Sequence, residues 1–427
     1  MKLLVKNGLI INPANNMQER CDLLLDEGRI AQLGPELNAA DAEVVDVTGK
    51  LVCPGFIDMH VHLREPGFEY KEDIVSGTKA AAAGGFTTIC CMPNTDPVVD
   101  NAAVALFIKD RAHKAGVVNV LPIGAITKKQ AGQELTEMAE LIAAGCVAVS
   151  DDGKPLERSD MMRHALDYAK MFDLPVLSHC EDTALSTGGQ MHEGYYSIIS
   201  GFKGIPAAAE EIMAARDIIL AAISGARLHI CHISTAGGVE LVRKAKQEGL
   251  RVTCEVTPHH LLLTDAMVKN YDANTKVNPP LRSADHVEAL RQALADGTID
   301  CISTDHAPQH RESKECEFDL AAFGISGLET AIPLTMQLVE QKYLDIMEWV
   351  RLFTAGPAEI LNLPIGTLTP GEKADITIID PEAVKKVDPE KFYSKGKNNP
   401  CAGMELKGWP YMTIVNGKIV FGQGVVL

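Results

Sequence analysis

The stretch Val52-Cys53-Pro54-Gly55-Phe56-Ile57-Asp58-Met59-His60-Val61-His62-Leu63-Arg64-Glu65-Pro66-Gly67 decides how the rest of the chain is interpreted. It is typical of an apolar strand that ends in polar side chains and then enters a loop at Pro66-Gly67. Because side chains alternate along a strand, His60 and His62 project to the same side about 7 Å apart. The pair can share one metal ion, with Asp58 on the same face as an orienting carboxylate. A single His-x-His is weak evidence, and it gains weight only from later strands that end in similar residues.

The length and charge of the chain argue against several classes of function. Its 427 residues, 46% of them hydrophobic, are enough for a large barrel with an attached module. The formal net charge of −17 provides no basic surface for nucleic acid or for an anionic membrane. No apolar run reaches the roughly 18 residues of a membrane span, and the start of the chain becomes polar too soon for a signal peptide. A small anionic substrate is still compatible, because it needs only one or two local cations.

The 11 cysteines are odd in number, lack any Cys-x-x-Cys spacing and mostly occur in apolar strands. This usage predicts reduced thiols that act as small core residues in a cytoplasmic protein. Cys180 and Cys231 each adjoin a candidate ligand histidine. Strand alternation predicts that both thiols face away from that histidine and pack in the core.

Both ends of the chain have the pattern of short strands separated by turns. Residues 2–52 carry turn signals at Asn7-Gly8 and Glu27-Gly28, and the last sixty residues look alike. Each end is too small to bury a core of its own. We therefore predict one small composite β-sandwich built from residues 1–52 and 366–427, with two independent β caps as the alternative.

The middle of the chain, residues 53–365, alternates strand and helix patterns. Eight strand candidates are separated by helical segments, at residues 52–62, 87–93, 118–127, 146–152, 175–180, 227–234, 251–258 and 300–306. This count and length predict a (β/α)₈ barrel of the TIM type. An open doubly wound sheet is the alternative, but it normally has a glycine-rich phosphate loop after its first strand, and the sequence has none there.

Five of the predicted barrel strands end in histidine or carboxylate residues. The C-terminal ends of barrel strands converge on one face, which is where barrel enzymes carry out catalysis. The residues are His60 and His62 on the first strand, Asp151 and Asp152 after the fourth, His179 on the fifth, His232 on the sixth and Asp305 on the eighth. Histidine and carboxylate without thiolate suit Zn²⁺, or a similar divalent ion, that acts as a Lewis acid and activates water.

This set resembles the amidohydrolase superfamily and, within it, the dihydroorotase family of the bacterial type that has Asp on the fourth strand. The resemblance is clearest at residues 58–67, Asp-Met-His-Val-His-Leu-Arg-Glu-Pro-Gly, and at residues 303–308, Ser-Thr-Asp-His-Ala-Pro. Supporting stretches extend it over essentially the entire chain, at residues 92–95, 150–153, 229–235, 277–282 and 323–330. The resemblance implies zinc-dependent, reversible cyclisation of N-carbamoyl-L-aspartate to L-dihydroorotate in pyrimidine biosynthesis.

The resemblance also implies which side chains bind metal, with one or two zinc ions per subunit and two favoured. The implied ligands are His60, His62 and Asp305 at the first ion, His179 and His232 at the second, and Asp152 where related enzymes carry a bridging carboxylated lysine. Asp305 is in addition the implied catalytic residue, which carries a proton from the nucleophile to the leaving nitrogen. Lys154 is interpreted as a solvated loop residue rather than a carboxylated one.

Substrate contacts are implied at residues around the metal site. Arg64 is well suited to grip the exocyclic carboxylate, because a guanidinium binds a carboxylate through two parallel hydrogen bonds. The other implied substrate residues are His62, Asn94, Asn278, Gln309, Phe323 and Gly324. Gln309 departs from the family, which usually has His directly after Asp-His-Ala-Pro. Glutamine keeps a hydrogen bond but carries no charge, so the sequence predicts an altered substrate contact rather than lost catalysis.

Two other functions remain open at this point. A hydantoinase or allantoinase typically uses the carboxylated lysine and lacks the Leu63-Arg64-Glu65 run. A non-catalytic subunit that scaffolds aspartate transcarbamoylase should have lost metal ligands, and all six are present here, although Gln309 keeps this alternative open. The expected partner is a small-molecule substrate. A homodimer and an association with aspartate transcarbamoylase are left open. Neither nucleic acid nor a membrane is expected as a partner.

Overall fold

The computed structural model describes residues 2–427, which form nineteen strands and thirteen α-helices. The strands are β1 Leu3–Asn12, β2 Met17–Asp26, β3 Arg29–Gly34, β4 Glu43–Asp46, β5 Leu51–Pro54, β6 Phe56–Val61, β7 Phe86–Cys91, β8 Asn119–Pro122, β9 Val149–Ser150, β10 Val176–Ser178, β11 Met191–His192, β12 Gly204–Ile205, β13 Leu228–Ile230, β14 Val252–Val256, β15 Cys301–Ile302, β16 Ile376–Lys386, β17 Glu405–Val415, β18 Lys418–Gly422 and β19 Val425–Val426. The helices are α1 Ile74–Ala83, α2 Ala102–Ala115, α3 Met138–Ala144, α4 Ser159–Lys170, α5 Thr183–Ser186, α6 Tyr195–Ser200, α7 Ala208–Ser224, α8 Ala236–Gln247, α9 Pro258–Leu262, α10 Ala284–Ala295, α11 Ala331–Glu340, α12 Ile346–Arg351 and α13 Ala355–Ile360.

Strands from both ends of the chain share one sheet. Its order is β19-β18-β17-β16-β5-β1-β2-β3, and β4 also pairs with β1. Strand β5 joins the two ends, because it lies parallel to β1 on one side and antiparallel to β16 on the other. Buried aliphatic residues from both ends, such as Leu23 and Ile376, pack in one cluster. The division into domains at residues 52/53 and 365/366 stays a prediction, and β5 crosses the first of these positions.

The turn between strands predicted at Asn7-Gly8 is wrong. Both residues lie inside β1, where the pairing with β2 shifts register between Val5 and Gly8 to form a bulge. A side chain at position 8 would meet the Val52 side chain 2.4 Å away, so the close approach of β5 explains the glycine. The turn signal at Glu27-Gly28 is confirmed, since both residues have positive φ values between β2 and β3.

Eight parallel strands close into the predicted (β/α)₈ barrel. Strands β6, β7 and β8 pair in one group, and β9, β10, β13, β14 and β15 pair in the other. Parallel bridges from Gly124 to Val149 and from Val61 to His306 join the two groups on both sides. The C-terminal ends of all eight strands therefore meet at one mouth of the barrel.

An aromatic cluster fills the opposite end of the barrel. Phe56 and Phe86 stand at the beginnings of β6 and β7, and Phe56 stacks on Phe353 with ring centroids 5.0 Å apart. Trp349 packs edge-on against both Phe56 and Phe353. This end is sealed by apolar contacts, so the polar ends of the same strands lie at the other mouth.

Capping residues mark the ends of several helices. Asp73 caps α1 in a reciprocal capping box with Ser76, and the Asn101 side chain accepts bonds from the first turn of α2. Helix α7 ends at Gly225, whose φ of 69° is a conformation that glycine adopts at little cost. Within residues 2–427, no helix is both long and apolar enough to cross a bilayer.

Candidate metal centre

The structure brings all six predicted metal ligands together at the polar mouth of the barrel. They come from five strands and are at most 7% exposed: His60, His62, Asp152, His179, His232 and Asp305. His60 lies in β6, and the other five follow the ends of β6, β9, β10, β13 and β15. Lys154 is exposed, as predicted.

Asp152 lies at the centre of the group. Its Oδ1 atom is 3.4 Å from Nε2 of His60, 3.4 Å from Nδ1 of His179 and 3.5 Å from Nε2 of His232. Its Oδ2 atom is 3.5 Å from Nε2 of His62. The two oxygens thus face different imidazoles, which is the arrangement expected of a carboxylate that bridges two sites. Burial opposes the ionisation of Asp152, but the close imidazoles of His60, His179 and His232 outweigh burial and hold the pKa of this carboxyl well below its usual range.

Asp305 completes the group from the end of β15. Its Oδ1 atom lies 3.0 Å from Nε2 of His62 and 3.6 Å from Nε2 of His60. Burial raises the pKa of Asp305, but the His62 hydrogen bond and the nearby imidazoles outweigh it and lower the pKa to about 2. Asp305 and His232 have φ values of 46° and 33°, which are uncommon for residues with a side chain and cluster at functional sites.

Three of the four histidines are held from outside by oxygen atoms. Nδ1 of His60 lies 2.6 Å from Glu255, Nδ1 of His62 lies 3.0 Å from Oδ1 of Asn94, and Nε2 of His179 lies 3.0 Å from Glu181. Each oxygen accepts the proton of the outer ring nitrogen, so the inner nitrogen keeps its lone pair for a metal.

Sequence reasoning missed Glu255 and Glu181. A glutamate in the apolar strand Val252–Val256 is a signal of a buried, paired carboxylate, because an unpaired one there is costly. Glu181 lies two residues after His179, and its Oε2 atom also accepts a hydrogen bond from Nδ2 of Asn278 at 2.9 Å.

The donor set fits a divalent cation. Nε2 of His60 and Oδ1 of Asp152 are buried without a hydrogen-bond partner, although they lie only 3.4 Å apart. The ligand atoms of His60, His62 and Asp305 lie within 4.8 Å of one another, as do those of His60, Asp152 and His232. Two buried polar atoms that face each other without a partner are arranged for a shared ion, and nitrogen with carboxylate oxygen suits zinc or a similar metal.

The predicted orientation of Cys231 is wrong. Its Sγ atom lies with His60 and Glu255 inside the barrel, the three candidate ligand atoms within 4.8 Å of one another. The positive φ of His232 interrupts the strand alternation, so consecutive residues both face inward. Burial raises the pKa of the Cys231 thiol to about 12, which makes it a neutral packing group at physiological pH. Cys180 does point away, since its Sγ atom contacts Ser178 and Asp217.

Arg64 lies beside the metal centre with its charge unpaired. Its Nε atom donates to the carbonyl oxygen of Pro308 at 3.3 Å, and among the described residues no carboxylate lies within 4 Å of its guanidinium. Burial lowers the pKa of Arg64, and its φ of 61° marks a constrained backbone. A partly buried guanidinium without a protein partner is available to an anionic ligand.

The remaining predicted substrate residues border the same mouth. Nε2 of Gln309 donates to the carbonyl oxygen of Phe323 at 2.9 Å, so this side chain supports the neighbouring loop. Gly324 has a φ of 134°, and a side chain there would meet the carbonyl oxygen of Ala307 2.4 Å away. The loop of Phe323 and Gly324 therefore lies directly on the segment that follows Asp305.

Comparison with known proteins identifies the family. A dihydro-orotase-like family model matches residues 49–237, and an amidohydrolase family model matches residues 282–421. A dihydroorotase from Pelotomaculum thermopropionicum is 56% identical over 427 residues and is covered completely, as is this chain. The chain belongs to the dihydroorotase family. Another dihydroorotase, from Syntrophotalea carbinolica, is 51% identical over 421 residues, with 99% of each chain covered. Membership of the dihydroorotase family, together with the candidate ligand groups, implies a metal cofactor.

Solved structures of the wider superfamily have the same fold. An L-hydantoinase (dihydropyrimidinase) from Arthrobacter aurescens matches with a TM-score of 0.90 and 27% identity, covering 100% of this chain and 97% of that one. A dihydropyrimidinase from Brevibacillus agri matches with a TM-score of 0.88 and 24% identity, covering 100% of this chain and 96% of that one. At this identity the match supports the fold and nothing about function. This chain of the dihydroorotase family thus shares its overall fold with a hydantoinase and a dihydropyrimidinase.

Glu255→Gln is expected to lower the zinc affinity of the centre by about 10–100-fold. The amide oxygen can still accept the proton of Nδ1 of His60, but the negative charge that makes this ligand more basic is lost. Competition with a chromogenic chelator measures the change. Glu240→Gln, on the exposed surface of α8, is the matched control and should bind zinc like the parent protein. Equal affinities in the two variants would rule out this role for Glu255.

Proposed function

We propose that this protein catalyses the zinc-dependent, reversible hydrolysis of L-dihydroorotate to N-carbamoyl-L-aspartate, whose ring-closing direction serves pyrimidine biosynthesis. The observation that carries the proposal is the convergence of four imidazoles and two carboxylates beside the unpaired guanidinium of Arg64. The chain is a cyclic amide hydrolase by family, with full-length relatives named dihydroorotase at 50–56% identity. The imidazoles and carboxylates can hold the metal that an activated amide hydrolysis needs. The guanidinium of Arg64 can bind the exocyclic carboxylate of the ring.

We assign two zinc ions to the centre, because Oδ1 of Asp152 faces His179 and His232 while Oδ2 faces His62. His60, His62 and Asp305 would hold one ion, His179 and His232 the other, and Asp152 would reach both. Zinc in such a site supplies a Lewis acid for the amide carbonyl and lowers the pKa of a bound water. Glu255, Asn94 and Glu181 set the tautomers of His60, His62 and His179.

Asp305 has the position and charge of the proton carrier. The neighbouring imidazoles favour its ionised form, and an ionised carboxylate at the barrel mouth can accept a proton from the attacking water. The water oxygen bonds to the ring carbonyl carbon, the ring C–N bond breaks, and Asp305 delivers the proton to the leaving nitrogen. Ring closure runs through the same groups in reverse and releases water.

The other predicted residues bind and orient the substrate. Arg64 grips the exocyclic carboxylate, and Nδ2 of Asn94 is available to it because Oδ1 is engaged by His62. Asn278 is anchored to Glu181 and presents its carbonyl oxygen to the ring. The backbone of Phe323 and Gly324 contacts the ring, and Gln309 supports that backbone from behind.

Arg64→Ala is expected to raise KM for L-dihydroorotate about 10–100-fold, with a smaller effect on kcat. The lost interaction is a charge-assisted pair made in both the ground state and the transition state, and such a loss appears mainly in KM. Steady-state kinetics of the zinc-loaded protein measure it. Arg20→Ala, exposed on β2, is the control and should keep parental constants. A parental KM in the Arg64 variant would place the carboxylate elsewhere.

The proposed function is tested by comparing turnover of L-dihydroorotate, hydantoin and allantoin by the same zinc-loaded preparation. We expect measurable turnover of dihydroorotate, and kcat/KM for the other two lower by at least about 100-fold, because neither has a ring carboxylate to pair with Arg64. Preference for hydantoin or allantoin would reassign the substrate. No turnover of any substrate by metal-loaded protein would favour the non-catalytic scaffold.

The homodimer, the association with aspartate transcarbamoylase and the cytoplasmic location stay predictions. Self-association is supported by three exposed isoleucines on one face of α7, Ile212, Ile219 and Ile223, which are 50%, 61% and 64% exposed. Light scattering of the purified protein tests the homodimer, and mixing with aspartate transcarbamoylase tests that association. A cytoplasmic location is supported by the 11 free cysteines, ten of them buried, which suit a reducing compartment.

A further inference from the structure

A segment outside the barrel reaches the substrate side of the metal centre. It lies between β16 and β17 and includes Asn398, which is 3% exposed. The segment fits closely against the barrel mouth, because a side chain at Gly396 would meet Cβ of Pro308 2.5 Å away and Oγ of Ser326 2.6 Å away. Asn398 is therefore held between the loop after β15 and the loop that carries Gly324.

The side-chain amide of Asn398 makes four hydrogen bonds, two to each loop. Nδ2 donates to the carbonyl oxygens of Ala307 at 3.2 Å and Gly324 at 2.9 Å. Oδ1 accepts from the backbone N–H of Gln309 at 3.0 Å and from Oγ of Ser326 at 2.9 Å. A primary amide has two N–H donors and two lone pairs, so all of its bonding capacity is used.

These bonds surround the residues that the proposed function assigns to the substrate. Pro308, between Ala307 and Gln309, is the residue whose carbonyl oxygen accepts from Nε of Arg64. Gly324 is itself an assigned ring contact. Asn398 thus fixes the backbone that orients the guanidinium and the backbone assigned to the ring, and none of these four hydrogen bonds goes to a metal ligand.

We propose that Asn398 is a positioning residue for substrate binding, which acts by clamping the loop of residues 307–309 to the loop of residues 323–326. This inference rests on the proposed function, because those loops are assigned to the substrate there. The clamp needs both donors and both acceptors. Aspartate has nearly the same shape and keeps the acceptors, but it cannot donate at neutral pH and repels the carbonyl oxygens of Ala307 and Gly324.

Asn399 provides a matched control one residue away. It is 1% exposed, and its Nδ2 atom donates to the carbonyl oxygen of Ser326 at 2.8 Å and to Oγ1 of Thr330 at 3.0 Å. Its Oδ1 atom accepts from the backbone of Cys401, and none of its side-chain bonds goes to residues 307–309. Asn399→Asp therefore removes the same kind of buried donor, including one bond to Ser326, while Asn398 still holds residues 307–309 to residues 323–326.

The test is steady-state kinetics of the full-length zinc-loaded protein with L-dihydroorotate, together with zinc content and thermal melting. We expect Asn398→Asp to raise KM about tenfold or more, with kcat changed less than about threefold and a full complement of zinc. Asn399→Asp should melt earlier than the parent but keep KM within about twofold. Asn398→Ser, which keeps a small polar group, provides a folded variant if the aspartate does not fold, and it should also raise KM.

Two results would overturn the inference. One is a KM within about twofold of the parent in folded Asn398 variants, and the other is an equal rise in KM in Asn399→Asp. Failure of the proposed function has a different signature, since the parent protein would then not turn over L-dihydroorotate at all.

Discussion

Asp305→Asn is expected to lower kcat for L-dihydroorotate hydrolysis by about 10²–10⁴-fold, with the fold retained. Asparagine has the same shape and can still lie 3.0 Å from Nε2 of His62, but it cannot accept a proton from water or return one to nitrogen. Stopped assays at high enzyme concentration measure the residual rate. Zinc content is measured alongside, because Asp305 is also a proposed ligand.

The control for this variant is Asp41→Asn, which changes an exposed carboxylate on the terminal β-module. It should keep the parental rate, and both proteins should have parental circular dichroism spectra. If Asp305→Asn retained zinc and turned over at more than about a tenth of the parental rate, the proton carrier would be a different group.

Asp152→Ala is expected to lose bound zinc and at least about 10³-fold in kcat/KM, since metal stabilisation of several kcal/mol is lost at about 1.4 kcal/mol per tenfold. Asp152 faces all four histidines, so its removal takes away the carboxylate that the proposed two-zinc centre requires. Zinc per chain after gel filtration and the residual rate are the measurements.

The neighbouring carboxylate provides the contrast for Asp152. Asp151 accepts hydrogen bonds from the backbone of Ile126 and Thr127 and from Oγ1 of Thr127, which anchor a loop. Asp151→Asn should therefore lower the melting temperature while zinc content stays parental. Retention of two zinc ions by Asp152→Ala would remove Asp152 from the centre.

The positions of the metal ligands could be predicted because they depend on a local rule. Each of His179, His232 and Asp305 follows a short run with the pattern of a strand, and barrel strands present their ends at one mouth. Metal binding at that mouth is then predicted from the histidine and carboxylate side chains that lie there. The same rule gave the wrong face for Cys231, because the positive φ of His232 is a tertiary feature that alternation does not include.

Contacts between distant parts of the chain could not be predicted in this way. Glu255 reaches His60 across 195 residues, and Asn398 reaches Ala307 across 91. Nothing in either local sequence states its partner. The turn prediction at Asn7-Gly8 failed for a related reason. The dipeptide has the composition of a hairpin turn, but its glycine is explained by the close contact with Val52, which is distant in sequence. Local sequence patterns therefore predicted the barrel and the proposed ligand positions. The contacts that support those ligands could be identified only in the folded chain.

Diffraction from zinc-soaked crystals at the zinc absorption edge tests the central claim most directly. We expect anomalous peaks between the six side chains, one within ligand distance of His60, His62 and Asp305 and one within ligand distance of His179 and His232, at the roughly 2.0–2.2 Å typical of zinc ligands. A chelated sample of the same protein should have no peaks and no dihydroorotate turnover, and zinc should restore both. Turnover that survives complete removal of metal, or zinc bound away from these six side chains, would contradict the account.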